Sequence, residues 1–138
     1  MAIELSGPEK LIHHFVNQVS KPIDPALRLQ LIKQVIEDLK PHYSQLDAKQ
    51  YSYLWVGFFY AVWNTELERG ARQYMEWIAQ HCSVQTLLIG FEELNRKWFT
   101  IDYIRVDKFM SFVRLLLARL LRTQFKACVL AEKGKTKT

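Results

Sequence analysis

The chain has 138 residues and a formal net charge of +5 at pH 7, and 49% of its residues are hydrophobic and 24% are charged. Its length and composition fit one globular domain with a hydrophobic core. Five glycines and four prolines are too few for the turns of a many-stranded sheet. There is no run of about 18 apolar residues and no basic N-terminal region followed by an apolar one, so we expect an intracellular protein without a membrane span or signal peptide.

Start signals predict the first three helices. Ser6, followed by a proline and an acid, indicates a first helix that continues to about residue 19. Asp24, followed directly by a proline, indicates a second helix, which Pro41 ends. Asp47, with Gln50 three residues later, resembles a capping box and indicates a third helix that continues to about residue 64.

Three more helices are predicted in the same way. Thr65 with Glu68 can cap a fourth helix, which ends near His81. Ser83 begins a fifth helix that continues to about residue 98, and Asp102 begins a sixth that continues to about residue 126. Since these six segments account for the apolar patterns of the chain, no strand is required and we predict an all-α fold.

The predicted helices pair at a regular spacing. Odd-numbered helices start near residues 8, 47 and 83, and each is followed by a partner. Helix pairs with a period of about 40 residues are typical of HEAT and armadillo solenoids. We predict a single helical domain of stacked antiparallel hairpins over residues 1–130, with a compact six-helix bundle as the alternative. Residues 131–138 are predicted to be a basic, disordered tail.

The third predicted helix is hydrophobic on all sides. A helix of this kind is buried in a core. Its aromatic residues could instead form a platform for stacked bases, but such platforms interleave basic residues with the rings, and none occurs between Lys49 and Arg69. We therefore predict a central, buried helix, in which Gly57 allows a neighbouring helix to approach closely.

The sixth predicted helix has a hydrophobic stripe and a basic sector on opposite sides. The stripe, which we predict to pack on the core, consists of Val106, Phe109, Met110, Val113, Leu116, Leu117, Leu120 and Leu121. The basic sector consists of Arg105, Lys108, Arg119, Arg122 and Lys126. Phe112 and Leu115 fall inside this sector, where exposed apolar side chains would indicate a protein contact.

The positive charge of the chain is concentrated at one end. Residues 104–138 contain nine Lys or Arg and two acids. Such a cluster attracts phosphates, so we predict that the basic sector binds RNA phosphates together with the tail residues Lys133, Lys135 and Lys137. The alternative is that the cations only keep the outer face of the helix soluble and complement the helix dipole.

Motifs for catalysis and for metal binding do not occur in the sequence. There is no P-loop and no GxGxxG, GxSxG or HExxH pattern, and the acidic pairs near residues 37 and 92 fall on predicted helix exteriors. Cys82 and Cys128 lie far apart without a CxxC pattern, which fits a reducing compartment. We predict no enzyme activity, no cofactor, no metal and no small-molecule substrate.

Two segments are more specific. Residues 97–109 read KWFTIDYIRVDKF and residues 54–63 read LWVGFFYAVW. In order and spacing they resemble the two signatures of the eukaryotic ribosomal RNA processing protein 1 family, and the similarity covers most of residues 8–125. The signature positions to which we assign structural roles are Leu54, Trp55, Gly57, Trp63, Trp98, Asp102, Arg105, Asp107 and Lys108.

The resemblance implies a non-catalytic factor of the nucleus and nucleolus that supports ribosomal RNA processing in precursors of the large ribosomal subunit. It implies a HEAT-like scaffold among other assembly factors, including Brix-domain and WD-repeat proteins, and contact with pre-ribosomal RNA. Two other functions remain open at this stage: a helical adaptor that binds only proteins, and a small helical enzyme.

Overall fold

The structure, a computed structural model, describes the backbone of residues 7–65 and 68–135 and the side chains of residues 7–65 and 70–132. Within these residues the fold is all-α, as predicted, and no strand is present. Six α-helices are present in this part of the chain: α1 (Gly7–Val19), α2 (Pro25–Leu39), α3 (Ala48–Trp63), α4 (Glu68–His81), α5 (Val84–Lys97) and α6 (Val106–Lys135). Short 3₁₀ segments follow α2 and α5, at Lys40–Gln45 and Trp98–Thr100.

Side-chain caps begin three of the helices where the sequence predicted them. Asp24 accepts a hydrogen bond from the backbone N–H two residues later, at the start of α2. Asp47 and Gln50 form the predicted capping box of α3, with distances of 2.8 and 2.9 Å. Ser83 accepts from the backbone N–H three residues later and caps α5. Two other predicted capping residues lie outside the described side chains, Ser6 and Glu68.

The start and the end of α6 differ from the prediction. Asp102 accepts a hydrogen bond from the backbone N–H of Arg105 and closes a turn, so the helix begins only at Val106. At its other end α6 continues to Lys135, so it includes residues 131–135 of the segment that we predicted as a tail. The last three residues of that segment lie outside the described residues.

The helices are arranged in two layers. The odd-numbered helices contact one another in the order α1, α3, α5, and the even-numbered helices in the order α2, α4, α6. Each odd helix also contacts the helix that follows it in the chain. This is the order of stacked helical hairpins, and it places α6 at one end of the even layer with α4 and α5 as its neighbours.

The core is built around α3, which is buried on several sides as predicted. Trp55 is 1% exposed, and its ring lies against a ring of α6, that of Phe112. Gly57 allows close contact with α1, because a Cβ atom there would overlap the ring of Phe15. Gly90 of α5 has the same role, since a Cβ atom there would overlap the indole of Trp55. In both contacts an aromatic ring of one helix packs directly against a glycine of the neighbouring helix, and these contacts join successive hairpins.

The packed side of α6 was predicted wrongly. Phe112, which we placed in an exposed basic sector, is fully buried, and Leu115 beside it is half-buried. Half of the predicted stripe is correct, since Phe109 and Leu116 are fully buried and Val113 and Leu120 pack against the core, partly buried. Three residues of the stripe are instead exposed: Met110, Leu117 and Leu121. The helix is turned so that the side carrying several of its cations faces α4 and the end of α3.

Candidate nucleic-acid interface

Lys108 closes the C-terminal end of α3. Its Nζ donates hydrogen bonds to the carbonyl oxygens of Val62 and Thr65, both at 2.8 Å, and of Trp63 at 3.3 Å. The last carbonyls of a helix have no partner within the helix and carry partial negative charge, so a cation stabilises them. Burial lowers the pKa of the Lys108 ammonium, and nearby Arg105 lowers it further while Asp102 opposes the change.

Arg105 binds the same helix end from another direction. Its guanidinium lies over the ring of Trp63, 4.5 Å from the ring centre, and its Nε donates to the Trp63 carbonyl oxygen at 3.2 Å. The guanidinium also forms an ion pair with Asp102, three residues earlier. Cation, ring and carboxylate together fix the segment that leads into α6 onto the end of α3.

Arg119 binds the C-terminal end of α4, as Lys108 binds that of α3. One of its terminal nitrogens donates to the carbonyl oxygens of Ala79, at 3.0 Å, and of Gln80 in the last turn of α4. The buried thiol of Cys82 lies nearby. Burial raises the pKa of that thiol to about 12, and Arg119 opposes the increase. The helix ends need such partners because no residue of the described backbone adopts the positive φ of a glycine-type cap.

Of the five phosphate-binding residues predicted for the sixth helix, three therefore bind other elements of the chain: Arg105, Lys108 and Arg119. Arg122 is exposed, with its Nε bonded to the carbonyl of Ala118 in its own helix, and Lys126 is exposed as well. Arg114 is a third exposed cation on this helix, and the sequence analysis had not selected it. The side chains of the other three predicted contacts lie outside the described residues: Lys133, Lys135 and Lys137.

Two shallow grooves follow the seam between α4 and α6. One is lined by Arg72, Met75, Lys108, Ser111, Arg114 and Leu115. The other is lined by Gln80, Arg119, Arg122, Thr123 and Lys126. Neither set of lining residues includes an acid, although Arg72 pairs with Glu76 at the edge of the first groove. We call the pair of grooves the basic seam; its exposed positive side chains are of the kind that attracts a phosphate backbone.

Most of the other signature residues hold the fold together. Leu54 is buried, and the indole N–H of Trp55 donates to the Thr86 carbonyl oxygen at 2.8 Å. Trp63 stacks on Phe59, with ring centres 5.6 Å apart. Trp98 is half-buried against the core, which fits its predicted place as an anchor. Asp107 is exposed and forms no ion pair with any described residue, so the structure gives no partner for it.

Three residues of the second signature are exceptions. Phe99, Tyr103 and Ile104, in the connection between α5 and α6, are 96%, 93% and 84% exposed. The connection is nevertheless held in place, since the Thr100 hydroxyl donates to the Lys97 carbonyl oxygen at 2.6 Å. We call these three side chains the signature loop residues. Sequence reasoning missed them, because they are as apolar as core residues.

Comparison with known proteins gives the family. Residues 10–135 match the family model described as "Nucleolar protein, Nop52". The chain belongs to the Nop52 family. It is also 32% identical, over 75 residues, to ribosomal RNA processing protein 1 homolog B of Homo sapiens. That match covers 46% of this chain and 10% of the human protein, so the chain spans about a tenth of the length of this relative.

The Nop52 match confirms two predictions made from the sequence. The resemblance to the ribosomal RNA processing protein 1 family is correct, and the family is nucleolar, as expected.

In the described part of this Nop52-family chain, even the long α6 is not apolar enough to cross a membrane. Among the same residues, no three His, Cys, Asp or Glu side chains lie together in a way that could hold a metal ion.

Proposed function

We propose that this Nop52-family chain is a non-catalytic ribosome assembly factor. It acts in ribosomal RNA processing and in the maturation of large-subunit precursors, as a helical scaffold that binds other assembly factors and pre-ribosomal RNA. The observation that carries the proposal is the division within the second signature. Lys108, Arg105 and Trp98 support the fold, whereas the signature loop residues are left almost fully exposed by the described part of the chain and are available to a partner.

The protein-binding role rests on the signature loop residues. Large apolar side chains that are almost fully exposed are unfavourable in water, and a connection held by backbone hydrogen bonds presents them in a fixed geometry. Burying a fully exposed aromatic or aliphatic side chain stabilises a complex by about 1.5–3 kcal/mol. We therefore assign this loop to contact with assembly factors, among which Brix-domain and WD-repeat proteins are our candidates by family resemblance.

Replacing the signature loop residues with serine is expected to release the chain from large-subunit precursors. The tagged full-length protein carrying Phe99→Ser, Tyr103→Ser and Ile104→Ser should sediment with precursor particles about tenfold less than the unmodified protein, because its interface anchors are lost. Sucrose-gradient sedimentation of cell extracts measures this. Leu27→Ser with Leu88→Ser is the control, since these residues are about half exposed on α2 and α5. Equal sedimentation of both variants would contradict the assigned role.

The RNA-binding role rests on the basic seam. Arg114, Arg122 and Lys126 are exposed and carry no carboxylate partner among the described side chains. Phosphate contacts of this kind position a protein on RNA without reading its sequence. The positive potential of the basic seam is also raised by three cations whose hydrogen bonds go to helix ends: Arg105, Lys108 and Arg119. Lys133, Lys135 and Lys137 remain proposed contacts near the end of α6.

Reversing the three exposed cations of the seam is expected to weaken binding to structured RNA and to reduce its dependence on salt. For Arg114→Glu, Arg122→Glu and Lys126→Glu together, the slope of log K against log salt should fall by up to about three, since about one unit is lost per phosphate contact. Filter binding across a salt series measures the slope. The control with the same change in charge is Lys10→Glu, Lys21→Glu and Lys49→Glu, at exposed positions on other parts of the stack.

The same experiment separates RNA binding from the second candidate function, a helical adaptor that binds only proteins. An unmodified chain with no salt-dependent RNA binding would favour the adaptor. Equal slopes for the two triple variants would show that net charge, and not the basic seam, determines RNA affinity. The first result would remove RNA phosphates from the function, and the second would remove only the basic seam. Both would leave the prediction for the signature loop residues standing.

A further inference from the structure

The basic seam combines cations with uncharged polar groups. In the first groove, Ser111 lies three residues after Lys108 and three residues before Arg114, and all three side chains line the same space. In the second groove, the side-chain amide of Gln80 shares the space with Arg122. Cations contact the phosphates of RNA, and hydroxyl and amide groups can contact its 2′-hydroxyls. The seam therefore carries the groups that bind the sugar-phosphate backbone of RNA.

The lining of the seam offers little to the bases of RNA. Proteins that bind single-stranded RNA combine a basic groove with aromatic side chains on which successive bases stack. Among the described residues, none that lines either groove is aromatic. The apolar lining residues of the first groove are Met75, which is 2% exposed, and Leu115, which is half-buried. A single strand would bind here through its backbone alone, with its bases still in water.

Phe125 is an exposed ring on the same helix and needs separate consideration. It is 70% exposed and directly precedes Lys126. Successive side chains of a helix point about 100° apart, and Phe125 is not among the residues that line the second groove. One ring outside the groove does not form a platform for successive bases. Phe125 is therefore a suitable position at which to test stacking without changing the charge of the seam.

The cations of the seam are presented on helices that are fixed relative to one another. Lys108 and Arg119 connect α6 to the ends of α3 and α4. Arg114 and Lys126 are twelve residues apart, which corresponds to about 18 Å along α6. A double helix presents phosphates at regular positions over such a length, whereas a flexible strand has to lose conformational freedom to match them. Without stacked bases to offset that loss, the seam favours a ligand that is ordered before it binds.

We infer that the basic seam binds the backbone of double-helical RNA and not an extended single strand. Arg114, Arg122 and Lys126 contact phosphates, and Ser111 and Gln80 contact 2′-hydroxyls, which distinguish RNA from DNA. Binding of this kind depends on the shape of the RNA helix and not on its sequence. The inference rests on the proposed RNA-binding role of the basic seam and adds the class of RNA that the seam takes.

Fluorescence anisotropy with three labelled nucleic acids tests the inference on the full chain. The first is an RNA duplex of roughly 20 base pairs, longer than the about 16 that known double-strand-binding modules cover. The second is a uridine strand with the same number of phosphates, and the third is a DNA duplex of the corresponding sequence. We expect the unmodified chain to bind the RNA duplex about tenfold more tightly than either of the others.

Two variants of α6 separate the cations from the ring. Arg114→Gln with Arg122→Gln should reduce the preference for the RNA duplex over the uridine strand to about twofold or less, because contacts with fixed phosphates are lost. Phe125→Leu removes the ring and leaves the charge unchanged. It should keep the affinity for both RNAs within about twofold, whereas loss of a stacked base would weaken binding of the strand about tenfold.

Four outcomes would overturn the inference. These are a uridine strand bound as tightly as the RNA duplex, a DNA duplex bound as tightly, a preference that the cation variant leaves unchanged, and a tenfold weaker binding of the strand by Phe125→Leu. The result is separable from that for the proposed function. If the chain binds none of the three nucleic acids, the RNA-binding role fails and the inference with it. If it binds duplex and strand equally, and the seam variants weaken both, the inference alone fails.

Discussion

Replacing Trp55 with alanine is expected to lower the free energy of unfolding by about 4 kcal/mol, the largest effect of any single substitution that we predict. The indole is 1% exposed, so its removal leaves a cavity among the rings of Phe58, at 5.1 Å, and Phe112, at 5.8 Å. It also removes the hydrogen bond from the indole N–H to the carbonyl oxygen of Thr86. Urea denaturation followed by circular dichroism measures the change, since tryptophan fluorescence is itself altered by the substitution.

A pair of conservative variants isolates the hydrogen bond from the packing. Trp55→Phe removes the indole N–H that donates to Thr86, whereas Trp77→Phe removes an indole N–H that is buried without a partner among the described residues. We expect Trp55→Phe to be more destabilising than Trp77→Phe by about 1 kcal/mol, the net free energy of one buried hydrogen bond. Equal losses of stability would show that the Trp55 hydrogen bond is not important.

The second large effect is expected at Lys108. Lys108→Glu should lower the free energy of unfolding by about 3 kcal/mol, because it removes two or three charge-assisted hydrogen bonds and places a negative charge against the negative end of α3. Lys108→Met, which keeps most of the length of the side chain and removes the charge and its hydrogen-bond donors without adding a negative charge, should give about half of that loss. Chemical denaturation of both variants measures the difference.

Arg122→Glu provides the comparison for this prediction. It makes the same change in net charge on the same helix, but at an exposed side chain whose bond is within α6. We expect its stability to remain within about 0.5 kcal/mol of the unmodified chain. If instead Lys108→Glu were as stable as Arg122→Glu, the contact with the end of α3 would not be stabilising, and Lys108 would again be a candidate for phosphate binding.

The sequence was sufficient to predict the helices because each carries its own start signal and apolar period. Asp24, Asp47 and Ser83 cap helices in the structure as they were predicted to do, and the interval between hairpins came from the same positions. The central place of α3 was also predictable, since its buried aromatic residues occupy more than one side. These features depend on residues that are close in the chain, which is why periodicity and capping rules reveal them.

The orientation of α6 was not predictable from its own sequence. A helical wheel places every cation toward solvent, but Lys108 and Arg119 face inward because the ends of α3 and α4 require donors. A usable signal was present elsewhere: α3 has no basic residue in its last turn, and Asn64 rather than glycine follows it. The helix that requires a cation is α3, whereas the helix that supplies it is α6. Local rules do not connect elements that are so far apart in the chain.

The signature loop residues were missed for the opposite reason. Phe99, Tyr103 and Ile104 are as apolar as core residues, and composition alone assigns such side chains to the interior. Nothing in a single sequence states which apolar residues remain after the core is filled. The packed positions around α3 are already occupied by residues of α1, α5 and α6, so these three side chains remain exposed.

The two inward-facing cations of α6 also fix its position in the fold. Lys108 and Arg119 lie about three turns apart on α6, and each donates hydrogen bonds to the end of a different helix. A shift of α6 along its axis would break both contacts at once, so the position of α6 relative to α3 and α4 is fixed. The two contacts therefore fix both the position and the direction of the first half of α6 relative to the stack of hairpins.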